Sequence, residues 1–167
     1  PPESRILMFA MTEGAIRFLA DTAQLFATAA RDGVAADDEA VTARIAASFT
    51  GSLIMRPLML YLLAAVAGGI ARRAGGTGSW RDSRAAVCWA ALVAAPIFVA
   101  TSTVQTAVVL PALAQEAVWM INVSSFAVAL AYCLAEAHGF RRVWAVFLVI
   151  GVSTILLVAG ALALSRL

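Results

Sequence analysis

Residues 85–115 read AAVCWAALVAAPIFVATSTVQTAVVLPALAQ, 31 positions between Arg84 and Glu116 without a charged side chain. A second such run, VWAVFLVIGVSTILLVAGALALS, fills the 23 positions 143–165 between Arg142 and Arg166. A helix of about 20 apolar residues crosses the roughly 30 Å hydrocarbon core of a bilayer. Either run is long enough to do so, which makes this an expected all-α, polytopic membrane protein. Composition agrees: 62% of the chain is hydrophobic and 13% charged, against a soluble norm of about 45–50% and 25%. The 167 residues leave room for five spans and short loops but for no appended soluble domain. All twelve basic residues are arginine, a bias that fits a GC-rich bacterial genome. A net charge of +2 and the lack of a basic stripe interleaved with aromatics exclude a nucleic-acid partner. The chain opens Pro1-Pro2-Glu3 without Met, so residues upstream of Pro1 are expected.

Working outward from the central run, the spacing predicts five transmembrane helices in a single domain, at about 6–30, 45–71, 85–108, 117–135 and 143–164. The first is the hardest to assign. It carries Glu13, Arg17 and Asp21 at a spacing of four, which a helix gathers onto one face. Such a segment either lies flat on the surface or spans with its charged stripe turned inward. Arginine counts in the loops favour spanning. The second-to-third link holds Arg72, Arg73, Arg81 and Arg84 against Asp82 alone, and the fourth-to-fifth link holds Arg141 and Arg142. The stretch 31–44 carries a net −2 through Asp32, Asp37, Asp38 and Glu39. The reading that follows puts the N-terminus in the cytoplasm and the C-terminus in the periplasm of a bacterial inner membrane. Seven arginines then lie inside and three outside.

The run Arg56-Pro57-Leu58-Met59-Leu60-Tyr61-Leu62-Leu63-Ala64-Ala65, the loop Gly75-Gly76-Thr77-Gly78-Ser79-Trp80-Arg81-Asp82-Ser83-Arg84, and then Trp89 and Pro96 resemble the Yip family. These are five-helix membrane proteins named for interaction with Ypt/Rab GTPases, and the similarity is greatest to a bacterial branch. The likeness is close over residues 56–96 and elsewhere rests on hydropathy and span count. It implies five spans with a cytoplasmic N-terminus and carries no catalytic residues. The vesicle-traffic role of eukaryotic relatives is not expected to transfer.

Among single residues, Arg56 stands out. An arginine at the bilayer centre costs from about 2.5 to more than 10 kcal/mol depending on the scale, so it needs a partner or water. Glu13 or Asp21 is the expected partner, docking the first two helices. The competing reading makes Glu13, Arg17, Asp21 and Arg56 a proton or ion path. Pro57 and Pro96 remove helix hydrogen bonds to the carbonyls of Leu53 and Leu92 and are expected to kink their helices. Gln105 and Asn122 are expected to bond across the third and fourth helices. Ala64 with Gly68, Ala65 with Gly69, and Ala91 with Ala95 offer close helix approach.

The loop residues Arg72, Arg73, Trp80, Arg81 and Arg84 are expected at the cytoplasmic interface, meeting anionic headgroups or an acidic partner. The run Gly75–Gly78 lacks the Gly-Lys-Ser/Thr ending of a phosphate loop. His138 is expected to be a solvated turn residue, and Cys88 and Cys133 packed apolar thiols. No Ser/His/Asp set, paired catalytic carboxylates or metal-ligand spacing can be assembled, so no enzyme activity, cofactor or metal is expected. The reading preferred on these grounds is a scaffold, assembly factor or accessory subunit docking on other membrane proteins, such as a respiratory or photosynthetic complex. A small transporter or channel is the alternative. A lipid-handling or membrane-organising protein, with a lateral groove beside the arginine loop, is a third.

Overall fold

Long apolar stretches broken by glycine, proline and acidic punctuation dictate helices with short connections, and a computed structural model of the chain consists of them. It describes residues 2–33, 35, 38–144, 146 and 147. Helix α1 spans Glu3–Arg31, with an acid in its first turn and a base in its last, which suits the helix dipole. Helix α2 (Glu39–Thr50) starts at Asp38, whose carboxylate accepts from the Ala40 N–H at 2.8 Å. It passes through a wide turn at Gly51–Met55 into α3 (Arg56–Arg73), so that Glu39–Arg73 is one 35-residue rod.

Helix α4 (Trp80–Ala107) opens on a reciprocal cap in which Ser79 and Asp82 satisfy each other's backbone N–H groups. That cap starts the helix five residues before the expected span. Helix α5 (Ala112–His138) begins after Pro111 and is stopped by Gly139 in the left-handed conformation (φ 70°). The rod Glu39–Arg73, α4 and α5 are each long and apolar enough to cross a membrane. The protein is therefore all-α and, by these helices, a multi-pass membrane protein. Helix α1 carries too many charges to join that group on composition. The fifth expected span, 143–164, falls almost wholly outside the described residues.

Side-chain contacts fix the directions. Glu3 meets Arg84 and Phe9 meets Trp89, while Arg17 meets Phe98 and Arg31 meets Thr106. Helix α1 thus runs parallel to α4 along almost its entire length. Phe18 packs edge-on to Phe49, and Tyr61 reaches Glu3, so the α2–α3 rod runs back against α1. Thr101 meets Asn122 and Ser83 meets His138, which makes α5 antiparallel to α4. One end of the bundle gathers Glu3, Arg73, Trp80 and His138. The opposite end gathers Arg31, Glu39 and Thr106.

Helix α4 is the hub, packed against α1, α3 and α5. The core lies toward the Glu3 end, built from Ile6, Ala10, Leu60, Ala64, Leu130 and Leu134 around Ala86–Ala91 of α4. Alanine dominates it because small side chains let helix axes approach closely, the main source of helix association in lipid. Ala64, Gly68, Ala91 and Ala95 are buried in these contacts. Ala65 is exposed and Gly69 only partly covered. At the two prolines the backbone behaves differently. Helix α4 continues through Pro96, whereas the rod takes its wide turn immediately before Pro57.

Candidate functional site

Glu13 and Gly14 sit side by side near the middle of α1, and both are buried. Facing them is the wide turn at Gly51–Met55, closed by the Arg56 N–H donating to the Gly51 carbonyl five residues back. A turn of this kind holds one residue more than an α-turn, and here it precedes the proline, whose ring excludes an ordinary bond to the carbonyl four residues before it. The Ser52 carbonyl lies so close to Gly14 that a β-carbon there would stand 2.3 Å from the oxygen. Only a residue without a side chain permits this approach.

The seat formed by Gly14 and the turn brings Arg56 onto Glu13. Arg56 Nε donates to Glu13 Oε2 at 2.6 Å and to Oε1 at 2.9 Å. Arg17, one helical turn along α1, donates its own Nε to Glu13 Oε1. The Arg17 guanidinium also lies 3.9 Å from the centroid of Phe98, which ties the cluster to α4 as a cation–π contact. Glu13 itself is completely buried, while Arg17 and Arg56 keep 22% and 30% of their side chains exposed. One acid thus bridges two arginines, and three elements meet at it. Asp21, a further turn along, makes no hydrogen bond or ion pair among the described residues. Its charge brings the sum of the four groups to zero. Of the two acids offered by the sequence as a partner for Arg56, the structure uses Glu13.

Toward the far end, the α4–α5 contact differs from the expected pairing. Asn122 Nδ2 donates to Thr101 Oγ1 at 3.0 Å, and that hydroxyl donates to the Phe98 carbonyl at 2.9 Å. Gln105 stands one turn past Thr101 and does not reach Asn122. A helical turn advances about 5.4 Å, and that step puts Thr101 rather than Gln105 level with the amide.

The basic end corrects the expectation for His138. This residue is 1% exposed, with its Nε2 at 2.9 Å from Ser83 Oγ and its ring stacked at 6.1 Å on Phe140. The Thr77 N–H donates to its carbonyl at 3.1 Å. Gly76 and Gly78 press on the ring so closely that a β-carbon at either would stand 2.9 Å from Nδ1. The glycine-rich loop is therefore a clasp around the last turn of α5. Reading the sequence locally missed it, because the loop and the histidine are 61 residues apart.

The five loop residues divide into two groups. Arg84 forms a fork on Glu3, with Nε at 2.8 Å from Oε1 and Nη2 at 3.0 Å from Oε2, and Arg81 approaches the same carboxylate at 3.9 Å. The bond from Arg84 holds the Glu3 carboxyl below its ordinary pKa. Arg72 instead lies 3.4 Å over the ring of Trp80, and Arg73 is exposed beside it. Among the described residues no His, Cys, Asp or Glu cluster has the geometry to hold a metal.

A family model described as the Yip1 domain matches residues 2–163. The match extends the similarity from the proline-and-glycine stretch at 56–96 to nearly the whole chain. No curated protein and no solved structure matches the chain.

Proposed function

The chain belongs to the Yip1 domain family, and from that premise we propose that it is a non-catalytic, multi-pass scaffold or accessory subunit that docks on other membrane proteins. It belongs on this reading to the bacterial branch of the family and resides in the inner membrane. Five spans place the N-terminus and the arginine loop in the cytoplasm and the C-terminus in the periplasm. The partner is a larger membrane complex of the respiratory or photosynthetic kind.

The observation that supports this reading is the state of Glu13. A carboxylate that carries protons or ions along a path must exchange them with water. Glu13 is wholly covered and spends both oxygens on Arg56 and Arg17. Such an arrangement fixes helix register. With its ionic groups turned on one another, the bundle keeps its apolar outer faces free for lipid and for other helices. The parallel run of α1 beside α4 supports a spanning α1. Its 29 residues reach about 43 Å at 1.5 Å each, and they travel the same distance as a helix built to cross.

Mild-detergent purification from native membranes, followed by crosslinking and mass spectrometry, tests the proposal. A scaffold comes away with a membrane-protein companion in fixed ratio, and Glu13→Gln weakens that recovery through loosened helix docking. An isolated protein that conducts protons or ions in proteoliposomes, with conduction lost in Glu13→Gln, overturns it in favour of transport.

A further inference from the structure

Between α3 and the start of α4, outside the bundle, lies a groove of about 480 Å³. Its volume falls in the range of about 300–1,000 Å³ typical of small-molecule sites. Val66, Gly69 and Ile70 of α3 make an apolar wall, and Trp80 closes the α4 side. Arg72 and Arg73 stand at the polar end, and no carboxylate lines the groove. We infer that this groove seats one anionic phospholipid, its phosphate held by Arg72 and Arg73 and an acyl chain lying along Val66, Gly69 and Ile70. The inference concerns a ligand at a site separate from the Glu13 cluster and holds whatever partner the protein docks on.

The argument rests on charge and shape. Of the four arginines at this end of α3 and α4, two are committed to Glu3, as the Arg84 fork and the nearby Arg81 show. Arg72 and Arg73 have no carboxylate partner among the described residues. Arg72 rests its flat face on the Trp80 ring at 3.4 Å. A guanidinium stacked in that way keeps the N–H donors on its edge free, and these match phosphate oxygens in pairs. Tryptophan at this depth suits the headgroup level of a bilayer. Directly below, the helix surface offers hydrocarbon and a glycine. Gly69 leaves the groove open: a β-carbon there would stand 3.8 Å from Trp80, an ordinary contact. A phosphate at one end and hydrocarbon at the other describe a phospholipid rather than a free phosphate or an acidic peptide.

Native mass spectrometry of the full chain in mild detergent, titrated separately with phosphatidylglycerol and phosphatidylcholine, reads this directly. One phosphatidylglycerol should be retained in preference to phosphatidylcholine. Each arginine near a membrane surface is worth about fivefold in anionic-lipid affinity, so R73Q should lower retention about that much and R72Q/R73Q further. G69L fills the groove without a backbone clash and should lower retention of phosphatidylglycerol with both arginines intact. R141Q/R142Q, at the same end of the bundle and outside the groove, should leave retention unchanged. Equal retention of the two lipids, an unaltered result in G69L, or equal losses in R73Q and R141Q/R142Q would each overturn the inference. Displacement of the bound species by inorganic phosphate alone would do the same.

Discussion

Glu13 holds two arginines at once, and its removal leaves two guanidinium groups facing a place built for a carboxylate. Breaking a buried ion pair on one side costs about 3–5 kcal/mol. Glu13→Ala is expected to lower stability by that order in denaturant titrations of the detergent-solubilised protein, with Glu13→Gln milder because the amide still accepts. Glu3 offers a contrast at the exposed end. Arg84 holds its carboxyl below the ordinary value of 4.5, so its stabilising contribution is complete well above that value and fades as pH falls through the lower, folded-state value. Thermal unfolding of wild type and Glu3→Gln should therefore differ at pH 7 and converge on acidification. The spacing of Glu13, Arg17 and Asp21 showed in advance that they share a face. What it lacked was the rotation of α3, which decides that Arg56 meets Glu13 while Asp21 stays apart. His138 was illegible for another reason: nothing near it in the chain hints at Ser83 or at the glycines that cover it.

At the level of single elements, the wide turn before Arg56 was half legible. Pro57 announces that a hydrogen bond to Leu53 is missing, yet proline alone does not say whether the helix bends, breaks or widens. The answer depends on Gly14 across the interface, which admits the Ser52 carbonyl. Two glycines in this region should respond in opposite directions to one added methyl. Gly14→Ala forces a β-carbon against Ser52 and should destabilise by about 1–3 kcal/mol, the usual effect of overpacking. Gly51 has helical angles (φ −61°, ψ −49°) and open space around it. Gly51→Ala should stabilise by about 0.4–1 kcal/mol through the unfolded chain. Helix midpoints of α4 and α5 were readable from hydropathy, while their ends were set by chemistry that hydropathy ignores. The Ser79–Asp82 cap lengthened α4 at its start, and the Gly139 terminator carried α5 on to His138.

For the molecule as a whole, the alternation of directions gathers Ser4 and Thr77 at one end and Ala35 at the other. If the bundle spans as proposed, cysteines placed there in a background lacking Cys88 and Cys133 should divide between the two faces of the membrane. Ser4→Cys and Thr77→Cys should react only when an impermeant thiol reagent reaches the cytoplasmic side, and Ala35→Cys from the periplasmic side. Shared labelling of Ser4→Cys and Ala35→Cys from one side would show α1 lying on the surface. That long apolar helices make up the chain was evident from its charge-free runs, and three of the five expected spans fall on helices long and apolar enough to cross, but neighbour relations were not evident. Hydropathy orders helices along the chain, whereas α1 packs most extensively on α4 and leaves α5 to the opposite flank of that hub.

The parallel pairing of α1 with α4 has a consequence for biosynthesis. Two neighbours pointing the same way cannot be joined by a hairpin, so, if α1 spans as proposed, it enters the membrane before most of its permanent surroundings have been translated. Arg56 follows Glu13 by 43 residues, an interval of roughly 2–9 s at about 5–20 residues per second on the ribosome. Throughout that wait the partner of the acid is Arg17 of its own helix. On that reading the intrahelical pair with Arg17 shields the charge of Glu13 in the newborn segment until the rod that completes the cluster has folded back against it.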